Sequence, residues 1–414
     1  MVASTDLKFY VHTNNNAPQL TNNFGCMIDV LDACLVNGFG SQTVATLTAS
    51  GTTVTATFGA AHNFMQYQVI KIAGANQAEF NGEHRILTVP NANTITFQLA
   101  SAPSISTATG TMTCSLPPIG WLKPFSAAGK AAYRSANISL PSRPYLRVVD
   151  AMDPAYTTTY AKFAKVAIVE DMTDIDTMLG TQAPFDSANP DKNWVGTGSG
   201  TTGFNGWAKW HYANISAFNQ QPSLISSPAT GNRNWILVGT ANYFYIFPTT
   251  TLNDTANFAC YGFGYHRSLL LSDLSNVFLS CHVDYRANNA GMGFPSGLTS
   301  LRASGSLILF KNYAQSSNYT TGGVISLYQM GVTGSTNMVG AYSLTSVAPF
   351  GPVYIMEDNN NVLRGEIPNI YWLYQNKPYS HLQQFEKDGS VYLVVNITSS
   401  AGTQGQLVVK IGDL

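Results

Sequence analysis

The sequence predicts a mainly β fold, in which a β-sandwich-like host domain with one N-terminal amphipathic helix carries a small inserted all-β domain. Three observations predict it. Short segments rich in Val, Ile, Thr, Tyr and Phe follow one another between Gly, Asn and Pro turns. One stretch near the N-terminus, Asn22–Gly40, has the apolar periodicity of a helix. Another, Thr43–Ser115, is a self-contained run of short strands that interrupts the surrounding pattern.

Composition limits the classes of protein to which the chain can belong. With 414 residues it is long enough for two or three domains and a sizeable core. Charged residues make up 10% of the chain and the formal net charge is -1, whereas a typical soluble domain has about 25% charged residues. A surface of hydroxyl and amide groups is typical of chains that pack into a large assembly. No basic stripe occurs, so nucleic acid is not expected as a partner.

The N-terminus and the apolar runs predict neither export nor membrane insertion. Residues 1–16 have neither the basic nor the apolar region of a secretory signal. No apolar run approaches the ~18 residues of a membrane-spanning helix, so no membrane partner is expected. The cysteines are odd in number and include no CxxC pair, so they are expected to be small buried hydrophobic residues. They are Cys26, Cys34, Cys114, Cys260 and Cys281.

The N-terminal segment is expected to supply one strand and the helix. Residues 6–13 alternate well enough for a short strand that joins the main sheet. In Asn22–Gly40, Asn22 or Asn23 can cap the first turn with a side-chain oxygen, and Gly38 can end the helix in the left-handed conformation. The apolar positions of the helix face expected to lie in the core are Met27, Val30, Leu31, Cys34 and Leu35.

The stretch Thr43–Ser115 is expected to be a small inserted β domain. Residues 1–42 and 116–414 would then form a discontinuous β-rich host, which divides near residues 196–206. The insert begins with a Thr/Val hairpin around Ser50-Gly51 and has about six strands. Insertions are tolerated when their ends lie close together on an exposed loop, so we expect the insert to project from the host and to be removable. Its expected core is Val54, Phe58, Val69, Ile72, Ile86, Val89, Ile95 and Phe97.

The motif order of the insert resembles a small β domain that recurs in tailed-bacteriophage tail and fibre proteins. The motifs are GTTVTAT, AHNF, QVIKIAGA, FNGEHRI, TITF and TGTM. The flanking segments VLDACLVNGFG, GWLKPFSAAGKAAYRS, RPYLRVVD, VEDMTDIDT and NWILVGTANYFYIF resemble a family of uncharacterised phage virion proteins. The resemblance implies a virion structural protein of tail or baseplate type and implies no catalytic residues. The insert residues that carry it are His62, Val69, Ile72, Gly74, Phe80, Asn81, Gly82, Val89, Thr96, Phe97 and Gly110.

The region after the insert is expected to consist of further strands. Residues 143–152 and 161–172 form two apolar strands that we expect to pair. The segment NWILVGTANYFYIF predicts a hairpin around Gly239–Asn242 whose sheet is covered on both faces, because its apolar runs are continuous. Residues 196–206 form a glycine-rich loop, either a lid or a linker. Other helices are expected only near Asp174–Leu179 and Leu269–Ser275.

Residues with catalytic or metal-binding chemistry form no motif. The seven histidines include no HxH or HxxxH pair, and neither a GxSxG elbow nor a GxxxxGK[ST] loop occurs. We therefore expect no enzyme activity, no cofactor and no bound metal. The alternative to no bound metal is calcium at an acidic run of four residues. The run lacks the glycine and the terminal Glu of a calcium loop. If it binds no calcium, it is a solvated turn or the start of a helix. That run is Glu170, Asp171, Asp174 and Asp176.

Two aromatic stretches are the candidate contact surfaces. Aromatic residues interleaved with Gly, Asn and Ser suit a protein interface or sugar stacking, because they offer a large apolar area with few rotatable bonds. The alternative is ordinary core beneath a long loop. The first stretch contains Trp194, Phe204, Trp207, Trp210 and Tyr212. The second, Ile367–Tyr379, contains Tyr371, Trp372 and Tyr374.

Together these features predict a non-enzymatic structural protein of a tailed phage particle, on the tail or baseplate, that assembles by protein–protein contacts. The alternatives are a host-recognition module that binds a receptor or surface glycan, and a capsid-decorating protein. The expected location is the virion, assembled in the cytoplasm of the bacterial host. Expected partners are other virion proteins and further copies of the chain, since a charge-poor surface is weakly solvated on its own. A host-surface glycan is the remaining possible ligand.

Overall fold

The computed structural model describes residues 3–154, 156, 159–196, 206–215, 227–283, 307–325, 350–357, 362–373, 379–398 and 404–414. In these residues, 26 strands form two antiparallel sheets and one closed barrel. The predicted mainly β fold with one N-terminal helix is confirmed. Within the same ranges, no helix has the length and apolar character needed to cross a membrane.

The N-terminal helix is shorter than its apolar pattern predicted. Helix α1 spans Cys26–Leu31 and continues as a π-helical segment, Asp32–Asn37. Gly38 ends it with a φ of 72°, and a Cβ at this position would lie 2.7 Å from the carbonyl oxygen of Leu116. Glycine is therefore required there for both conformation and space. All five residues predicted for the core-facing side are buried.

The cap of this helix comes from a distant residue, so the prediction of an Asn22 or Asn23 cap was wrong. The N-cap position is Gly25, which has no side chain to offer. Instead the buried carboxylate of Asp150 accepts a hydrogen bond from the Met27 amide at 2.9 Å. An anion at a helix N-terminus is stabilised by the unpaired amides and the helix dipole. The helix is thus fixed by the host sheet.

Asp150 is expected to make stability depend on pH. Burial raises its pKa to about 6, against the opposing hydrogen bonds from Tyr212 and Met27. Because the folded chain then holds the proton more tightly than the unfolded chain, stability falls by about 3 kcal/mol as pH rises from about 4 to about 6, and is level above that. The variant Asp150→Asn has no such proton to lose, so it should not show this fall. Urea unfolding of both proteins across this range measures it, and identical pH profiles would contradict the assignment.

Six strands close into a small barrel within the predicted insert. They are β2 (Phe39–Ser50), β3 (Thr53–Phe58), β4 (Val69–Ala75), β5 (Gly82–Asn91), β6 (Thr94–Gln98) and β7 (Gly110–Leu116), with a 3-10 turn at Ala78–Phe80. The barrel order is β2-β3-β6-β5-β4-β7. Its two ends lie side by side, because Phe39 pairs with Leu116 and Gln42 with Cys114. Its predicted core residues are buried, apart from half-buried Val89.

Two glycines allow the paired strands β4 and β7 to approach each other closely. Gly74 has a φ of 82°, and a Cβ there would lie 2.1 Å from the carbonyl oxygen of Thr111. Gly110 has a φ of 117°, and its Cβ would lie 2.3 Å from the carbonyl oxygen of Gly74. A side chain at either position would push the strands apart. These two glycines are among the residues that carry the resemblance to phage modules.

The sequence led us to expect that the insert projects from the host, but the barrel is docked on the host through buried contacts. The buried guanidinium of Arg85 on β5 donates to the carbonyl oxygens of Ser4, Leu7 and Ile411, at 2.6 to 2.9 Å. It also holds its own barrel through the carbonyl of Tyr67 at 2.8 Å. Barrel and host side chains moreover belong to one continuous core. The barrel is therefore held by buried polar contacts as well as by its two connecting strands.

Seven further strands form one sheet of the host. They are β8 (Trp121–Ala127), β9 (Lys130–Ser135), β10 (Tyr145–Val149), β11 (Lys162–Met172), β12 (Met178–Ala183), β13 (Ala208–Ala213) and β19 (His282–Val283). Their order is β19-β13-β11-β10-β9-β8, with β12 also paired to β11. The two apolar strands predicted to pair are β10 and β11, which are antiparallel with Val148 opposite Val166. This prediction is confirmed.

The second sheet has thirteen strands in the described ranges. They are β1 (Lys8–Val11), β14 (Trp235–Gly239), β15 (Tyr243–Pro248), β16 (Tyr261–Tyr265), β17 (Arg267–Ser268), β18 (Val277–Ser280), β20 (Leu307–Leu309), β21 (Thr320–Ile325), β22 (Phe350–Glu357), β23 (Val362–Leu373), β24 (Gln384–Lys387), β25 (Ser390–Thr398) and β26 (Gln404–Asp413). Their order is β1-β14-β15-β16-β18-β20-β21-β22-β23-β26-β25-β24, and β17 pairs with β23. The predicted N-terminal strand is β1.

The two sheets pack face to face, and the larger sheet also encloses a core of its own. On the hairpin β14–β15, Leu237 and Phe244 face the core shared with the seven-stranded sheet. Their neighbours Val238 and Tyr245 face a second core, which strands β22, β23, β25 and β26 complete. Both faces of the hairpin are thus covered, as its continuous apolar runs predicted. The host is sandwich-like.

The two short helices predicted in the host do not form. Asp174–Leu179 consists of a turn followed by the start of β12. Leu269–Ser275 is a turn segment in which the carboxylate of Asp273 is bound by Arg364, at 2.9 Å for each of two hydrogen bonds. A long-range ion pair therefore overrides the local helical pattern.

Candidate functional site

The first predicted aromatic stretch lies inside the chain. Trp210 and Tyr212 on β13 are fully buried, because β13 is an inner strand and this face packs on the larger sheet. The indole Nε1 of Trp210 donates to the carbonyl of Ser280 at 2.9 Å, and the hydroxyl of Tyr212 donates to Asp150 at 2.6 Å. These two residues are core residues, which is the alternative that the sequence left open for this stretch.

Trp194 and Trp207 are also buried, and Trp194 packs with Val149 and Ala167 on the other face of the seven-stranded sheet. A cation covers each ring: the guanidinium of Arg147 lies 4.3 Å from the Trp194 ring centroid, and the ammonium of Lys192 lies 4.4 Å from that of Trp207. Such cation–π contacts stabilise partly desolvated charges. In the sequence these tryptophans stand on either side of the predicted glycine loop. Phe204, like residues 197–205 as a whole, lies outside the described residues.

The acidic run does not converge on one point. Asp176 pairs with Lys130 at 2.6 Å and with Arg147 at 2.8 Å, and the hydrogen bond from Lys130 lowers the pKa of Asp176. Asp174 accepts hydrogen bonds from backbone amides of its own turn, and Glu170 pairs with Lys311 at 3.3 Å. Asp171 accepts a hydrogen bond from the next amide in the chain. In the described ranges, no group of three or more His, Cys, Asp or Glu is placed to hold a metal ion.

The second predicted aromatic stretch is divided between two faces of β23. Trp372 points into the second core and is buried. Tyr371, its neighbour, lies on the opposite face of the strand and is half-buried, as the two-residue period of a strand requires. Tyr374 lies outside the described residues. Tyr371 is thus the predicted contact residue that the fold places on an outer face.

Around Tyr371, five aromatic rings form one cluster, which we call the aromatic platform. Neighbouring ring centroids are 4.9 to 5.9 Å apart, the range in which aromatic pairs attract. Tyr392 is buried at the centre, and the other four rings are half-buried. The platform consists of Phe350, Tyr371, Tyr379, Phe385 and Tyr392.

Strand register brings these rings together from distant parts of the chain. Phe385 on β24 lies directly opposite Tyr392 on β25. Phe350 begins β22, two residues before Pro352, the partner of Tyr371 on β23. On β25 the flanking residues Val391 and Leu393 face the second core, so Tyr392 faces the other way. Sequence reasoning missed Phe350, Phe385 and Tyr392, although the alternation around Tyr392 in SVYLVVNI was a signal.

The rim of the platform carries both polar and charged groups. The ammonium of Lys387 lies 5.0 Å from the ring centroid of Phe350. The side-chain amide of Gln406 donates to the backbone carbonyl of Tyr379 at 2.6 Å and fixes that residue. Burial, and after it the neighbouring Tyr392, raises the pKa of Tyr371 to about 12. Tyr371 therefore keeps its hydroxyl proton at neutral pH.

This arrangement suits binding by stacking and hydrogen bonding. The five platform side chains are two phenylalanines and three tyrosines, so the polar groups that they carry are phenol hydroxyls. They also offer aromatic faces, and the ammonium of Lys387 lies at the rim. Planar apolar groups of another protein and the apolar faces of sugar rings both fit such a surface.

Comparisons with known proteins assign no family. No family model matches the chain, and no curated protein matches it. Among solved structures, the chain is similar to the phage phi92 endosialidase, with 10% sequence identity and a TM-score of 0.16. The match covers 90% of this chain and 52% of the endosialidase chain, so this chain spans about half the length of that protein. A similarity at this level assigns the chain neither an activity nor a substrate.

Proposed function

We propose that this chain is a structural protein of a tailed bacteriophage particle, in the tail or baseplate, that binds a neighbouring virion protein through the aromatic platform. The platform is the observation that carries the proposal. Aromatic residues are enriched at protein interfaces, where a few of them supply most of the binding energy. Four half-buried rings around a buried one are already ordered in the free chain, so binding costs little side-chain entropy.

The place in a phage particle is supported by features outside the platform. The insert that resembles tail and fibre modules is a closed barrel with buried docking contacts, which suits a fixed part better than a tethered arm. The low charge of the chain suits permanent contact with other proteins. A role in decorating the capsid uses the same chemistry, and a cryo-EM map of the particle separates the two locations.

Removing two platform rings is expected to weaken binding to the particle. The double variant Tyr371→Ala/Phe385→Ala loses stacking area from the exposed part of the cluster and should bind at least about a hundredfold more weakly. The measurement is co-sedimentation of the purified protein with particles assembled without it. The matched control is Tyr265→Ala, since Tyr265 is a half-buried tyrosine outside the platform. Unchanged binding by the double variant would contradict the proposal, as would robust hydrolase activity of the purified chain on host-surface glycans.

A second candidate function uses the same surface: recognition of a host-surface glycan. Half-buried aromatic rings that include tyrosines favour it, because sugar rings stack on aromatic faces while phenol hydroxyls can hydrogen-bond to sugar hydroxyls. Calorimetric titration of the parent and the double variant with host-surface glycans tests this function. Binding by the parent alone, together with a distal position in images of the particle, would favour it. A fixed ring or collar position with no glycan binding would favour the structural role.

A further inference from the structure

Strand β24 has the aromatic platform on one face and the barrel on the other. Phe385 is a platform ring, and the ammonium of Lys387 lies 5.0 Å from the ring centroid of Phe350. Gln384 and Glu386 alternate with these two residues and bind the barrel on the opposite face, as the two-residue period of a strand requires. In the described ranges β24 is the last strand of its sheet and pairs with β25.

The barrel reaches β24 through residues 63–68, between β3 and β4, which we call the contact loop. The side-chain amide of Gln384 donates to the carbonyl oxygen of Gln66 at 2.9 Å. The hydroxyl of Tyr67 donates to the carboxylate of Glu386, while its ring is buried in the second core of the host. Each barrel-facing side chain of β24 therefore has a partner on the contact loop.

The contact loop is itself fixed from both sides. Tyr67 has a φ of 65°, a left-handed conformation that costs energy for a residue other than glycine. Its amide donates to the carbonyl of Ile86 at 3.0 Å, and its carbonyl accepts from Arg85 at 2.8 Å. The next residue, Gln68, exchanges two side-chain hydrogen bonds with Asn14 of the host, at 2.9 and 3.0 Å. The hydroxyl of Tyr67 is thus held at a defined place.

The bond between Tyr67 and Glu386 is expected to be the stronger of the two contacts to β24. Burial, and after it the hydrogen bond with Glu386, raises the pKa of Tyr67 to about 12. The phenol therefore keeps its proton and donates at neutral pH. Its acceptor is a carboxylate, and hydrogen bonds to a charged group are stronger than those between neutral groups.

We infer that the inserted barrel positions the aromatic platform, because its contact loop fixes β24 through Tyr67 and Gln66. The inference rests on the proposed function of the platform. A strand at the end of a sheet opens more easily than an inner strand, so without the barrel contacts β24 and its ring Phe385 would lose order. An ordered surface binds with a smaller loss of entropy. Docking of the barrel and binding at the platform are then coupled, and each strengthens the other.

The variant Tyr67→Phe tests this inference, since it keeps the ring in the core and removes only the hydroxyl. Hydrogen exchange followed by mass spectrometry should show β24 exchanging at least about fivefold faster, with the inner strands β10 and β11 and the melting temperature unchanged. Co-sedimentation with particles assembled without the protein should show binding weakened at least about fivefold. The matched control is Tyr265→Phe, which removes the hydroxyl of a half-buried tyrosine outside the barrel and the platform.

Variants of the acceptor separate positioning from a general loss of stability. Glu386→Gln keeps an acceptor oxygen and should exchange and bind like the parent. Glu386→Leu should behave like Tyr67→Phe, and the double variant Tyr67→Phe/Glu386→Leu should be no worse than either single variant, because all three lack the same bond. Losses that add in the double variant would contradict the pairing.

The two measurements distinguish this inference from the proposed function. Unchanged exchange of β24 in Tyr67→Phe would overturn the inference, whether or not the chain binds the particle. Faster exchange with unchanged binding would also overturn it, because the platform would then not need a fixed β24. A parent that does not bind the particle would instead contradict the proposed function, and the exchange result alone would still decide whether the barrel fixes β24.

Discussion

Replacing Arg364 with methionine is expected to lower the free energy of unfolding by about 3–5 kcal/mol. The guanidinium is fully buried between the carboxylates of Asp273 and Glu357, both without solvent exposure at their side chains. Methionine keeps the apolar stem and removes the charge. Two buried carboxylates are then left without a cation, which costs far more than a surface ion pair is worth. Urea unfolding of the parent and the variant at neutral pH measures the difference.

Two companion variants distinguish loss of charge pairing from loss of packing. Adding Asp273→Asn and Glu357→Gln to Arg364→Met removes the unpaired charges and should recover part of the stability. Arg143→Met should cost much less, because Arg143 is half-buried and its guanidinium donates to a neutral backbone carbonyl, that of Ser135. Equal losses at Arg364 and Arg143, or no recovery in the triple variant, would show that the cluster does not hold the loop in this way.

Replacing Arg85 with methionine is expected to cost a similar amount, about 3–5 kcal/mol, and to uncouple the barrel from the host. Burial lowers the pKa of Arg85 to about 10, so the guanidinium remains charged at neutral pH. Its donors satisfy carbonyl groups of Ser4, Leu7 and Ile411 in the host. Without the guanidinium, these buried carbonyl groups of the host and that of Tyr67 in the barrel lose a hydrogen-bond donor. Calorimetric melting should then change from one transition to two.

The control for Arg85 lies on the same barrel. Lys71 on β4 is exposed, and Lys71→Met should leave the melting profile unchanged. A single undiminished transition in Arg85→Met would contradict the docking role. Deleting Thr43–Ser115 and joining Gln42 to Leu116 remains the direct test of the domain division predicted from sequence. Since that deletion removes the same donors, we now expect a less stable host and not an unaffected one.

Local pattern in the sequence was enough to predict the fold class and most of what is buried. The two-residue and 3.6-residue periods of apolar side chains are properties of a strand or a helix by itself. They predicted the paired strands β10 and β11, the doubly covered hairpin β14–β15, the core of the barrel and the buried side of α1. The period of the apolar residues shows which side of a helix or strand is buried, and a few consecutive residues are enough to reveal it.

Only the tertiary structure decided which residues meet across elements. Asp150 caps a helix that lies more than a hundred residues before it in the sequence. Arg85 binds residues near both ends of the chain. Arg364 holds a turn whose own sequence predicts a helix. The aromatic patterns around Trp210 and Tyr371 were alike in the sequence. In the structure the larger sheet covers Trp210, whereas Tyr371 stays half-buried on an outer face. Which residues pair, and which faces are covered, depends on contacts between distant segments. These contacts compete with the local preference of a segment for helix or strand, and they outweigh it when a buried charge needs a partner.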